Sequence, residues 1–118
     1  DEAKRELKGL LKRAVASRMI ADVPLGSFLS GGYDSSLMTA IAQENSAEPV
    51  KTFSIGFAEK EYDESGYAAE VAKHLGTDHT AQIITEAEML RLVDSIPKYF
   101  DEPMADSSQI PSMRLSDV

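Results

Sequence analysis

The chain has no cysteine and no tryptophan, and its 118 residues carry only 12 lysines and arginines against 20 aspartates and glutamates. Without cysteine it holds no disulfide, no thiolate metal site and no cysteine nucleophile. A reducing compartment suits such a chain, and the expectation is cytoplasmic. The net charge of −8 argues against a nucleic-acid binder that works through a basic surface. No apolar run approaches the roughly 18 residues of a membrane span, and no signal peptide is visible, so no membrane role is expected. What remains is 42% hydrophobic and 27% charged, the composition of one small globular domain with a core of its own. There is no internal repeat, low-complexity stretch or interdomain linker.

Within that frame one stretch stands out, Phe28-Leu29-Ser30-Gly31-Gly32-Tyr33-Asp34-Ser35-Ser36. Val23-Pro24-Leu25-Gly26-Ser27 leads into it as extended chain, and Leu37-Met38-Thr39-Ala40-Ile41-Ala42 follows as helix. The order is strand, glycine turn, helix. Two adjacent glycines let the backbone bend sharply and come close to a ligand. Asp34, Ser35 and Ser36 are residue types that cap helix starts. Helix N–H groups and the positive end of the dipole then make an anion site, and a phosphate fits it. An acidic protein can bind ATP when backbone N–H groups and a divalent cation manage the phosphates. The same residues also suit a plain capped strand-to-helix turn. No Gly-Lys-Ser/Thr and no G-x-G-x-x-G occurs here, so the commoner nucleotide loops are excluded.

Taken in order, residues 2–20 read as an amphipathic helix with Leu7, Leu10, Leu11, Ala14, Val15 and Met19 on one face and six cationic residues on the other. Pro24 biases its predecessor to extended geometry and closes that segment. A strand is predicted over 25–29, a helix to about Asn45 and a second strand over 50–57. A helix over 64–75 is closed by Gly76, and a third strand covers 79–84. Thr85 and Glu88 form a capping box for a helix that stops before Pro97. A last short helix begins near Ser107, for which Asp106-Ser107-Ser108 is an ordinary cap. Strand and helix alternate, so the expected fold is α/β, a parallel sheet of about three strands with flanking helices and right-handed crossovers. Ligands of such sheets lie at strand carboxyl ends. Both Ser30–Ser36 and Ile55–Phe57 fall there.

The S-G-G-x-D-S-S run, with Val23-Pro24-Leu25-Gly26 before it and Thr52-Phe53-Ser54-Ile55-Gly56-Phe57 after it, resembles the PP-loop ATP pyrophosphatases. His74-Leu75-Gly76-Thr77-Asp78-His79 and Asp101 to Ser108 narrow the likeness to the synthetase domain of glutamine-hydrolysing asparagine synthetases. It runs from about Leu7 to Pro111. The resemblance implies a partial adenine-nucleotide α-hydrolase-like, Rossmann-like fold and an ATP-dependent carbon–nitrogen ligase. Such enzymes adenylate the aspartate side-chain carboxylate, release pyrophosphate and let ammonia displace AMP. The ammonia comes from glutamine hydrolysed by an N-terminal domain in cis. Carried onto this chain, Ser30, Gly31, Gly32, Asp34, Ser35 and Ser36 would cradle the pyrophosphate, with Asp34 as catalytic residue and ligand of Mg²⁺. Leu29 and Ile55 would approach the adenosine through backbone and apolar contacts, though on residue type alone a core side chain is the better reading. Glu102 and Asp106 are weaker candidates for the aspartate or metal side. His74 and His79 could line the site or serve structure, and two histidines without a third ligand make a poor zinc site.

The departures are as informative. There is no glutaminase cysteine, no second Ser-Gly-Asp/Glu-Gly loop and no downstream lysine. The chain opens without an initiator Met and breaks off at Val118, so residues 1–118 are expected to be the first half of a synthetase domain, inactive in isolation. A sheet cut at its third strand leaves an edge open, and pairing of two copies into a homodimer is expected there. The alternatives are a related amidotransferase or β-lactam-synthetase-like ligase acting on another carboxylate, and a non-catalytic adenine-nucleotide-binding module. A PP-loop tRNA-modifying enzyme shares Ser-Gly-Gly-x-Asp-Ser, but there a basic surface and cysteines are expected.

Overall fold

The computed structural model describes residues 1–59, 61, 63–102 and 105–117. Pro103 and Met104, inside the last family-like motif, and the terminal Val118 lie outside the described residues. Helix α1 (Glu2–Arg18) leads through extended chain into β1 (Gly26–Phe28). Then α2 (Tyr33–Glu44), β2 (Lys51–Phe57), α3 (Ser65–Leu75) and β3 (Asp78–Ile84) alternate. The chain finishes with α4 (Glu86–Val93), α5 (Ile96–Tyr99) and α6 (Gln109–Ser116). The strands form one parallel sheet in the order β1-β2-β3. The predicted α/β class and alternation are what is found.

The registers Phe28↔Phe53 and Phe53↔Thr80 put strand carboxyl ends at one side of the sheet. Alternation along β2 then sorts its side chains. Thr52, Ser54 and Gly56 are buried toward the helix side, whereas Phe53, Ile55 and Phe57 are only half-buried on the other. The core centres on Leu29, Ala68 and Ala72, with Val71 packed against it. Small alanines let α3 lie close to the sheet, and Gly76 ends it in the left-handed conformation at φ 71°.

Two local expectations change, and one helix face stays uncovered. The apolar stripe of α1 has no buried residue, and Leu7 and Leu10 stay about half exposed. This helix rests on α2, with Lys12 paired to Glu44 at 2.6 Å. The helix expected to run up to Pro97 ends at Val93. Pro97 instead sits in the first turn of α5, where a missing N–H breaks no helical bond. The Asp-Ser-Ser run lies inside the first turn of α2, and the cap position belongs to Gly32, with no side-chain cap bond.

Candidate functional site

That uncapped start defines the site. Because no side chain covers the end of α2, its first-turn N–H groups remain directed outward, with the dipole's positive end behind them. Asp34 is the acidic residue of this turn and is exposed. The preceding loop is fixed by hydroxyls. Ser30 Oγ and Ser35 Oγ lie 2.9 Å apart, the Ser30 N–H donates to Ser35 Oγ at 3.3 Å, and Ser35 Oγ donates to the Gly32 carbonyl at 3.3 Å. Gly31 holds φ at 81°. A Cβ there would meet the Ala68 nitrogen and Tyr67 Cβ at 2.8 Å each, so the loop backbone is seated directly on the start of α3. Ser36 Oγ, by contrast, is buried with no hydrogen-bond partner among the described residues.

Beneath the loop a cavity of about 960 Å³ opens over the carboxyl ends of β1 and β2. Leu29, Ser30, Ser35 and Ile55 line it, together with Phe28, Phe53 and Ser54 of the strands. The Leu29 N–H donates to the Phe53 carbonyl at 2.8 Å, and β2 runs four residues past that point to Phe57. The Ile55 end of β2 thus forms the cavity's floor beyond the end of β1. Leu29 is 1% exposed and is a core side chain, so what it can offer a ligand is backbone. Ile55 is half-buried and contributes apolar surface.

Ser107, Ser108 and Ile110 from the start of α6, and Met89 of α4, close the cavity opposite the sheet. Glu59, Glu64 and Glu86 add carboxylates around it. These residues carried no recognisable spacing, and only the folded chain brings them together. Glu102 and Asp106 are exposed and are not among the cavity's lining. Asp106 accepts the Ser108 N–H at 2.8 Å, and that backbone bond, helped by the Ser108 side chain, holds its carboxyl below the ordinary aspartate range. Its visible work is to start α6.

His74 lies exposed in the last turn of α3, away from the cavity. His79 lies behind the cavity wall, its ring between the hydroxyls of Thr52 (Nδ1, 3.0 Å) and Ser54 (Nε2, 3.3 Å). Burial pushes its pKa down, partly offset by a backbone hydrogen bond at Thr52. Among the described residues no three histidine, aspartate or glutamate side chains gather as a metal cluster, and no helix is long and apolar enough to cross a membrane.

Residues 6–118 match the family described as asparagine synthase. Asparagine synthetase [glutamine-hydrolyzing] 1 of Bacillus subtilis is 37% identical over 111 residues, covering 94% of this chain and 17% of the relative. A putative asparagine synthetase [glutamine-hydrolyzing] 2 of Methanocaldococcus jannaschii is 40% identical over 114 residues, 96% of this chain and 22% of the relative. The human asparagine synthetase [glutamine-hydrolyzing] is 31% identical over 101 residues, 81% and 18% respectively. The chain thus spans about a fifth of the length of these relatives. It belongs to the asparagine synthase family.

Proposed function

We propose that the chain is an ATP-binding part of an asparagine-forming ligase, the first half of its synthetase domain, and that the Ser30–Ser36 loop cradles the pyrophosphate end of ATP over the cavity. One observation carries the reading most directly. The loop's tight backbone, φ 81° at Gly31, leads into an α2 whose first turn has no side-chain cap. A phosphate would take the bonds that a cap normally supplies. The unpartnered hydroxyl of Ser36 fits an acceptor arriving at the same place, since a buried hydroxyl without a partner is costly. The relatives' printed names supply the product.

In this reading the adenosine lies toward Leu29 and Ile55, and the triphosphate runs up to the loop. The aspartate carboxylate oxygen attacks the α-phosphorus, the bond to the bridging oxygen breaks, and pyrophosphate leaves into the loop. Ammonia then attacks the activated carbonyl carbon, loses a proton and displaces AMP. The donor set here suits Mg²⁺, because Asp34 offers one exposed carboxylate and the ion takes its other ligands from phosphate oxygens and water. Bound there, the ion would neutralise charge developing on the leaving pyrophosphate. Ser30 and Ser35, already tied to each other, hold the loop open for that group without rearrangement. Glu102 and Asp106 stand outside the cavity's lining, so the aspartate side is assigned to neither. Turnover is not expected of these 118 residues alone.

Calorimetric titration of the folded chain with Mg-ATP tests the reading. Saturable binding that weakens at least tenfold in Asp34→Ala is the expected result, the scale of losing one charge-assisted contact. Absence of binding by wild-type chain whose circular dichroism shows it folded would overturn it.

A further inference from the structure

The phosphate loop and the cavity floor lie on different segments, and the first turn of α3 touches both. The Ser30–Ser36 loop rests on that turn, where a Cβ on Gly31 would meet the Ala68 nitrogen and Tyr67 Cβ at 2.8 Å each. The carboxyl end of β2, whose Ile55 and Phe57 line the cavity, reaches the same turn from its start. Gly56 is buried between those two residues on the helix side. A Cβ there would stand 2.7 Å from Asp63 Oδ1 and 2.9 Å from Ser65 Oγ. Asp63 Oδ1 in turn accepts the Ser65 N–H at 3.1 Å. The Ser65 hydroxyl first, then its N–H, with a smaller part from the Phe57 backbone, hold the Asp63 carboxyl below the ordinary aspartate range. The carboxylate therefore joins the last residues of β2 to the first of α3. From there the link is helical: the Glu64 carbonyl accepts the N–H groups of Tyr67 at 3.1 Å and Ala68 at 3.2 Å. Between Ser65 and Ala68, the seat of Gly31, the helix rises only about 4.5 Å.

We propose that Asp63 is a positioning residue of the nucleotide site, fixing the spacing between the phosphate loop and the cavity floor through the first turn of α3. This role rests on the reading of the cavity as a nucleotide site. Asp63 is not among the residues lining the cavity, so it acts through Gly56 and α3 and not by touching a ligand. A ligand that spans both ends is held by two linked contacts, and the second adds affinity only where the first leaves the ligand within reach of it. A change of spacing therefore weakens the spanning ligand and leaves each of its halves bound as before. The residue types suit the task. An aspartate is short enough to bond the backbone two residues on, and any side chain at Gly56 would drive the carboxylate off the strand.

Two measurements on the folded chain test this. The first titrates it with Mg-ATP and with the two ends of that ligand, pyrophosphate and adenosine. Asp63→Ala should weaken ATP about tenfold while pyrophosphate and adenosine stay within about twofold of wild type. Asp63→Asn, whose amide oxygen still accepts the Ser65 N–H, should recover most of the ATP affinity. The second measurement needs no ligand. In Asp63→Ala the amide ¹H and ¹⁵N resonances of Gly31 and Gly32 should shift along with those of Gly56 and Phe57, and Asp63→Asn should return both sets toward wild type. An aspartate that only starts α3 would move the Ser65 and Phe57 amides, leave Gly31 and Gly32 where they were and leave ATP affinity unchanged. That result would overturn the proposal while the ATP reading stood, and so would an equal fall in affinity for all three ligands. Failure of the folded wild-type chain to bind ATP would remove that reading and this one with it.

Discussion

The two faces of β2 reverse the usual relation between polarity and burial. Thr52, Ser54 and Gly56 are buried against the helices, while the far more apolar Phe53, Ile55 and Phe57 are only half covered. The helix side is closed because its polar groups find one another. Ser27 and Thr39 hydroxyls meet at 2.9 Å, and a relay of contacts joins Thr77 to Thr52 at 2.9 Å, Thr52 to His79 Nδ1 at 3.0 Å and His79 Nε2 to Ser54 at 3.3 Å. The other side is covered in part by α4 and α6 and otherwise opens into the cavity. A half-buried phenylalanine beside a cavity is surface left for a ligand, whereas a buried threonine must have its partners in place when the chain folds.

The largest effect is expected where the ligand loop is anchored to the closed face. Gly31 has φ 81° and no room for a Cβ beside Tyr67 and Ala68. Gly31→Ala should lose about 2–4 kcal/mol in urea denaturation, from the left-handed backbone and the overpacking together. Its neighbour is the control. Gly32 has φ −71°, and a Cβ there would meet only Ser30 Oγ at 3.4 Å. Gly32→Ala should therefore change stability by less than about 1 kcal/mol. Equal losses at both positions would mean that the loop is not seated on α3 as described.

A smaller loss is expected from cutting the relay inside the closed face. Thr52→Val keeps the shape but leaves His79 Nδ1 and Thr77 without their shared partner, at a cost of about 2 kcal/mol. The relay also predicts a pH dependence whose sign follows from His79. Burial lowers its folded pKa below the ordinary 6.5, so between those two values the unfolded chain holds more protons than the folded one. Stability then rises with pH across that window. The contribution is fully present above pH 6.5 and is lost as pH falls toward the folded pKa. Urea midpoints at pH 7.5 and 5.5 should differ in that direction, and His79→Gln should shrink the difference. A pH-independent midpoint in the wild type would mean that His79 is not held neutral.

How much of this was readable in the residues follows the same division. The strands, helices and glycine loop were legible because they depend on neighbours in sequence: β-branched runs, helical spacing, Gly31-Gly32, the Thr85-to-Glu88 box. The loop's position at a strand end followed from alternation alone. The relay was not legible. Thr52 and His79 are 27 residues apart in sequence, and only the β2–β3 register Thr52↔His79 makes them partners. The exposure of the apolar stripe on α1 was not legible for a related reason: spacing tells which residues share a face but not whether anything covers it. Asp34-Ser35-Ser36 suggested side-chain capping, and the folded chain put Gly32 at the cap instead. That difference matters because a satisfied cap would have spent the groups that an anion needs.

The smallest effect belongs to the open face and tests whether it is independent of the closed one. Thr85 starts α4 by accepting the Glu88 N–H at 3.3 Å, while its own N–H donates to the Glu88 carboxylate at 2.9 Å. Those bonds to Thr85, the backbone one first, hold the Glu88 carboxyl below its ordinary range. The box is therefore intact above the ordinary glutamate pKa and is lost as pH falls through the lower folded one. Thr85→Ala should cost about 1 kcal/mol. Its signature should be local: faster hydrogen exchange in α4, with the β2–β3 amides unchanged. Because Glu86 and Met89 of α4 line the cavity, the same variant should loosen that wall without disturbing Thr52, His79 or Ser54. If β2 and β3 exchange faster as well, the two faces are one cooperative unit, and the apolar side is as much a part of the folding core as the polar one.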